Sequence, residues 1–208
     1  MKQLALLGAS GHGKVIADAA LLSSWKSVTF FDDIWPAARW NGHWAVEGNT
    51  ATLLARLANF DGVIVAIGNC KTRWEKQQFL QAAGANIARV IHPAAIVSAY
   101  ASIGAGSVIM AGAVVNVDAV LGNACIVNTG ATVDHDCKLA NSVHISPGAH
   151  LSGNVQVGDC SWIGVGAAVR QGVVIGDHVM VGAGAVVVKP VANGMTVVGS
   201  PAMPLARR

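Results

Sequence analysis

From Ile91 onward, every sixth residue is aliphatic: Ile91, Val97, Ile103, Ile109, Val115, Leu121, Val127, Val133, Leu139, Ile145, Leu151, Val157, Ile163, Val169, Ile175, Val181 and Val187. No step is missed. The fourth residue after each is small or Val, from Ala95, Ala101, Ser107 and Ala113 through Cys125 and Cys137 to Val191. The residue directly after the aliphatic is Gly at 104, 122, 158, 164, 176 and 182. A helix repeats at about 3.6 residues and a half-buried strand at about 2, so neither carries this pattern. A parallel β-helix of hexapeptides does: each repeat is a short strand and a turn, and three repeats close a triangular coil. About five coils are expected up to residue 190. The aliphatic fills the interior, the small residue turns the corner, and Gly is assigned the positive φ of the tight turns.

The chain is 53% hydrophobic and 12% charged, so a membrane span must be considered. The best window, 103–127, carries Asp118, Asn116, Asn123 and four glycines on the six-residue pattern, which argues for a buried β core instead. The opening run from Met1 to Leu7 stops at Gly8, too short for a signal peptide, so a cytoplasmic location is expected. Cys70, Cys125, Cys137 and Cys160 show no CxxC spacing and read as small apolar residues. A formal charge of +3 without a dense Lys/Arg run argues against nucleic acid as a partner.

The first ninety residues differ in texture. Leu4 to Leu7 reads as a buried strand, Gly8-Ala9-Ser10-Gly11-His12-Gly13 as a turn, and Lys14 to Leu22 as a helix. This is the order of a phosphate-binding turn, although the glycine spacing is not the dinucleotide fingerprint. Val28 to Phe31 is a second strand ending at Asp32-Asp33, and Gly62 to Ile67 a third ending at Gly68-Asn69; Glu75 to Ala83 reads as a helix. A small α/β domain with a Rossmann-like parallel sheet is therefore expected over 1–85, and the β-helix with a closing segment over 86–208. Ligands of such sheets sit at the carboxyl ends of the strands, where Ser10, Gly11, His12, Asp32, Asp33 and Gly68 all fall.

In the second half, His135 lies between the inward positions Val133 and Cys137 and is flanked by Asp134 and Asp136. Histidine titrates near neutrality, and a neighbouring carboxylate fixes its tautomer, the requirements of a general base. Inward cysteines such as Cys125 and Cys137 are poorly placed to act as nucleophiles.

The hexapeptide array resembles the left-handed parallel β-helix of the hexapeptide-repeat acyltransferases, and Val198-Gly199-Ser200-Pro201-Ala202 resembles their closing segment. With G-A-S-G-H-G, F-D-D and A-I-G-N added, nearly the whole chain resembles sugar acyltransferases of the NeuD/PglD type. The resemblance implies a homotrimer with acetyl-CoA held between adjacent helices and a nucleotide-linked sugar held by the small domain. It makes Ser10, Gly11, His12, Asp32, Asp33 and Gly68 sugar-nucleotide contacts, His135 the base and Asp136 its orienting acid, where Glu is commoner in the family. It places His144 near the acetyl group, the Gly153 N–H at the thioester carbonyl, and Val165 and Ala183 along the pantetheine arm. Arg170 and Lys189 read either as partners of coenzyme A phosphates or as solvated charges.

The implied activity is acetyl-CoA-dependent N-acetylation of a UDP-, GDP- or dTDP-linked 4-amino-deoxy sugar for a bacterial surface glycan. Sialic acid O-acetylation is the alternative. Two further alternatives are a zinc-dependent carbonic anhydrase, for which His135, His144 and His150 supply the count but not a known spacing, and a non-catalytic scaffold. No metal is expected.

Overall fold

The computed structural model describes residues 2–205, so the outermost ends of the two expected domains lie outside the described residues. Two compact units are present, Met1–Pro93 and Ala94–Arg208. The first contains β1 (Gln3–Leu7), α1 (Gly11–Leu22), β2 (Ser27–Phe31), a hairpin of β3 (Trp40–Asn41) and β4 (Trp44–Ala45), α2 (Thr50–Ala55), β5 (Gly62–Val65) and α3 (Cys70–Ala82). Its sheet runs in the order β2-β1-β5, and all three strands are parallel. The central strand is buried on both sides, with Leu4 to Leu7 no more than 2% exposed. This is why it reads as a continuous apolar run rather than an alternating one. Parallel pairing sends Gly8-Ala9-Ser10, Asp32-Asp33 and Ala66 to Asn69 out of one edge. The unit continues past residue 85 because Ile87 bridges Val63 and the Ala88 N–H donates to the Val63 carbonyl at 2.9 Å.

α3 starts at Cys70, five residues before the expected Glu75. The Asn69 side chain accepts from Thr72 N at 3.0 Å and caps it.

The second unit is a solenoid of two-residue strands on three faces. The first face stacks Ile96–Val97, Val114–Val115, Thr132–Val133, His150–Leu151, Ala168–Val169 and Val186–Val187. The second stacks Ser102–Ile103, Val120–Leu121, Lys138–Leu139, Gln156–Val157 and Val174–Ile175. The third runs from Val108–Ile109 through Ile126–Val127, His144–Ile145, Trp162–Ile163 and Met180–Val181 to Thr196–Val198, where Met203–Pro204 pairs antiparallel and closes the array. Up to the closing segment each strand is parallel to the one eighteen residues on, as Val114 to Thr132; the last pairing, Met180 with Thr196, is shorter by two residues. Six strands on the first face, all before residue 190, give about six coils where about five were expected. Both inward columns, aliphatic and small, form one core whose buried members are 3% exposed or less.

One expectation is corrected. The glycines directly after the aliphatic do not hold positive φ. That conformation recurs three residues after it, at every sixth residue from Gly106 to Gly184, and includes Asp118, Ala124, Asp136, Ser142, Asn154, Cys160 and His178. From Ala124 onward it turns these N–H groups onto a carbonyl of the coil below, as Gly130 onto Ala111 at 3.0 Å and Asp136 onto Val117 at 3.3 Å. The glycines after the aliphatic serve close coil-to-coil approach instead: a Cβ on Gly164 would stand 2.5 Å from the Val181 carbonyl oxygen and 2.7 Å from Ala183 N. Both neighbours are backbone and yield little. Gly164→Ala is therefore expected to destabilise the chain by about 1–3 kcal/mol, measured by denaturant unfolding. A wild-type midpoint would remove this role. No helix among the described residues is long and apolar enough to cross a membrane.

Candidate active site

In the first unit the site is built at the carboxyl edge of the sheet. Gly8, at φ +120°, leaves β1 so close to the next loop that a Cβ there would stand 2.8 Å from the Ala66 carbonyl oxygen. The chain then turns into α1, whose first intrahelical bond is Lys14 N to the Ser10 carbonyl at 3.2 Å. At a helix start such as this the backbone N–H groups of the first turn point out along the axis, which favours an anion. Ser10 is exposed and its side chain makes no cap bond. A Cβ on Gly11 or Gly68 would meet nothing within 4 Å, so both border open space.

Both acids are engaged within the unit. Asp32 accepts from Ala9 N at 2.6 Å and from Ile34 N at 2.9 Å, bracing the glycine turn. Asp33 accepts from Thr50 N at 2.9 Å and from Lys76 Nζ at 2.7 Å. The bond from Lys76, supported by Thr50, holds the Asp33 carboxyl down at about 2. His12 is pushed down to about 4, first by burial and then by the charge of Arg73, so its imidazole is neutral at physiological pH. Buried Asn41, on β3, donates from Nδ2 to the Ser10 carbonyl at 3.2 Å and ties the hairpin to the turn. Asn41 and Arg73 are contributors that sequence reading missed.

In the second unit His135 lies at the corner between the first and second faces. Its Nδ1–H donates to Asp136 Oδ2 at 2.7 Å, which leaves the Nε2 lone pair directed away from that carboxylate. The left-handed φ of 60° at Asp136 turns this carboxylate back onto the preceding ring, and Asp is among the residues that tolerate that conformation. Asp134 does something else: its Oδ1 accepts from His135 N at 2.9 Å and from Asn116 Nδ2 at 2.7 Å, fixing the backbone. The Asp136 bond raises the His135 pKa, with smaller contributions from the charges of Asp134 and Asp136. The His135 and Asp136 side chains are 56% and 59% exposed. Gly153 occupies the same corner one coil on. A Cβ there would stand 2.5 Å from both Cε1 and Nε2 of His135, so the ring rests against the bare Gly153 backbone. The Gly153 N–H meets no acceptor among the described residues.

Cys137 is buried, its thiol donates to the Ser152 carbonyl at 3.2 Å, and burial raises its pKa. It does not offer a thiolate.

His144 sits on the third face, 5% exposed, with its ring 4.2 Å from that of Trp162. Thr129 N donates to Asn128 Oδ1 at 2.8 Å and so orients the amide. Asn128 Nδ2 therefore faces His144 Nε2 at 3.2 Å, which sets Nε2 as acceptor and the proton on Nδ1. Val165 and Ala183 are stacked at the corner between the third and first faces. Arg170 and Lys189 lie on later coils beside the His135 corner. Within one chain, then, His135 and Gly153 come together while Val165 and Ala183 occupy a different corner. His150 is held by Thr132 Oγ1 at 2.9 Å on the first face, and no group of three or more His, Cys, Asp or Glu among the described residues is arranged to hold a metal ion.

The PglD N-terminal domain family model matches residues 3–80, and the bacterial transferase hexapeptide model (six repeats) matches 154–189. The acetyltransferase domain of PglB from Neisseria gonorrhoeae is 45% identical with a TM-score of 0.93, over 99% of this chain and 100% of that one. The chain belongs to the PglD-type family of hexapeptide-repeat, acetyl-CoA-dependent sugar N-acetyltransferases. The same PglB domain in complex with acetyl coenzyme A matches with a TM-score of 0.94. A histidine-to-asparagine mutant of perosamine N-acetyltransferase from Caulobacter crescentus, in complex with CoA and GDP-perosamine, is 32% identical over 100% of this chain and 98% of that one, with a TM-score of 0.95. UDP-N-acetylbacillosamine N-acetyltransferase of Bacillus subtilis is 38% identical over 112 residues, and the match spans about half of that relative's length, 52%. Family membership gives the β-helix and the α/β unit their common context.

The His135–Asp136 pair makes one prediction at once. Asp136→Asn removes the carboxylate whose hydrogen bond, and to a lesser extent charge, raises the His135 pKa, so the acid limb of kcat/KM is expected to shift to lower pH, while kcat falls at least about tenfold as the tautomer loosens. A pH–rate profile reads both. An unmoved acid limb would separate His135 from the titration that controls turnover.

Proposed function

We propose that the chain transfers the acetyl group of acetyl-CoA to the amino group of a nucleotide-linked 4-amino-deoxy sugar. The observation that carries this reading is the His135 ring, oriented by Asp136 with Nε2 available and resting against Gly153. The nucleotide diphosphate is assigned to the start of α1, with Ser10, Gly11, His12 and Gly68 around it and Asp32 and Asp33 bracing the loops. The sugar amine attacks the thioester carbon, and His135 Nε2 takes one of its protons. The oxyanion of the tetrahedral intermediate accepts from Gly153 N–H. Its collapse expels the coenzyme A thiolate, which takes the proton back from His135. The net products are the acetamido sugar and coenzyme A.

The homotrimer is part of the proposal. Gly153 at one corner and Val165 and Ala183 at another cannot line a single pantetheine arm along one edge, so a site using both draws one corner from each of two copies. A sedimentation mass of one chain would refute this. The relatives are named for GDP-linked and UDP-linked sugars, so the nucleotide is left to experiment. A role in bacterial surface-glycan synthesis and a cytoplasmic location complete the reading.

Thiol release from acetyl-CoA, screened against UDP-, GDP- and dTDP-linked 4-amino sugars and sialic acid, tests it. Turnover with one nucleotide amino sugar is expected. Turnover only with sialic acid moves the acceptor to a hydroxyl, and silence with all acceptors refutes the reading.

A further inference from the structure

The most buried charged side chain of the first unit takes no part in the mechanism above. Arg73 projects from the first turn of α3 and is 1% exposed. Its guanidinium donates to two successive carbonyls, Ile67 at 2.9 Å and Gly68 at 2.7 Å. Those carbonyls belong to the loop that leaves β5 at the edge where the Gly8-to-Gly13 turn leaves β1. Gly8 and Ala66 are in close approach there, so the two loops share one geometry. Gly68 faces open space. An unconstrained carbonyl at this position is free to turn its negative end toward that space, where a diphosphate would be repelled. Both bonds come from one nitrogen, Nη1, whose two N–H groups hold the two carbonyls at once while the guanidinium brings a fixed positive charge behind them; a thioether side chain does neither.

We infer that Arg73 is a positioning residue for the nucleotide sugar: it holds the Ile67 and Gly68 carbonyls away from the diphosphate and adds a buried positive charge behind the site without touching the ligand. The inference rests on the assignment of the diphosphate to the start of α1. The charge of Arg73 also reaches His12, helping to keep that imidazole neutral. His12 then faces the site as a hydrogen-bonding group and leaves the positive potential to the helix start and to Arg73.

The test is steady-state kinetics of the full chain with acetyl-CoA and the nucleotide amino sugar identified by the screen, on Arg73→Met, Arg73→Lys and Gly11→Asp. Arg73→Met is expected to raise KM for the nucleotide sugar at least about tenfold, with kcat and KM for acetyl-CoA unmoved. Arg73→Lys keeps a charged N–H donor without the planar guanidinium and falls between Arg73→Met and wild type, which also guards against a Met variant that does not fold. Loss of kcat with both KM values unchanged means a smaller folded fraction and overturns the inference, as does a wild-type KM in both Arg73 variants. Gly11→Asp sets a carboxylate in the space assigned to the diphosphate. If it leaves nucleotide-sugar KM unchanged, the site assignment itself fails. If it raises that KM while the Arg73 variants do not, only the positioning role fails.

Discussion

His135→Ala is expected to lower kcat for acetyl transfer by about 10²–10⁴-fold while KM for acetyl-CoA stays near wild type. The reasoning starts from the exposed ring. A side chain that is 56% exposed contributes little to the core, so its removal leaves the coil register and the folded fraction intact. What is lost, on the mechanism proposed above, is the acceptor for the amine proton. Without it the tetrahedral intermediate carries an ammonium that expels the amine again more readily than the thiolate. The Gly153 N–H and the bound reactants still supply proximity and oxyanion stabilisation, so a residual rate above solution is expected. A thiol-release assay with the sugar at saturation reads the change. A variant retaining more than a tenth of wild-type kcat would mean that another group, or solvent, takes the proton.

The second large effect comes from a residue that carries no side chain. Gly153→Ala places a methyl carbon where the His135 ring now lies, 2.5 Å from Cε1 and Nε2. The ring is on the surface and is free to swing outward, so the clash is relieved at little cost to stability. The same swing breaks the 2.7 Å bond to Asp136 and moves Nε2 off its line. A misplacement of about 1 Å at a reacting group costs roughly 10²-fold in rate, and that loss in kcat is expected here. Thermal unfolding within about 2 °C of wild type would accompany it, separating displacement of the base from collapse of the coil. Unchanged kcat in this variant would show that the ring does not work in the position observed.

Much of this was legible before any coordinates. The unbroken six-residue column from Ile91 to Val187 admits few folds, and from Ile109 onward its members are the buried core; at its start Ile91 is exposed and Val97 and Ile103 are partly buried. Leu4 to Leu7 and Gly62 to Val65 were legible because strands of a covered parallel sheet carry no alternation. His135 stood out as an ionisable residue between two inward positions. The hairpin at Trp40 and Trp44 was not legible: two-residue strands carry no period, and their pairing depends on Asn41 reaching Ser10 across the fold. Arg73 was hidden for a related reason. In the run Lys71-Thr72-Arg73-Trp74-Glu75-Lys76 it looks like one more solvated charge. Only the loop folded over α3 makes it the buried support for two carbonyls.

The glycines mark the boundary most sharply. Period alone identified the column at 104, 122 and 158, yet its purpose was assigned to backbone conformation when it is clearance between coils. Composition along one chain reports what a position tolerates and says little about which neighbour imposes the tolerance. The hexapeptide pattern set the solenoid, its core and the corner bearing His135, because inward and outward positions follow from local periodicity. Three strands per coil, expected from the repeat, put Gly153 eighteen residues on from His135; how closely the two coils approach at that corner is a property of closure in three dimensions. That step sets the ring against bare backbone, and the left-handed turn at Asp136 points its carboxylate back at Nδ1. Contacts between coils, which no local pattern encodes, turn a histidine beside two acids into an imidazole of fixed orientation.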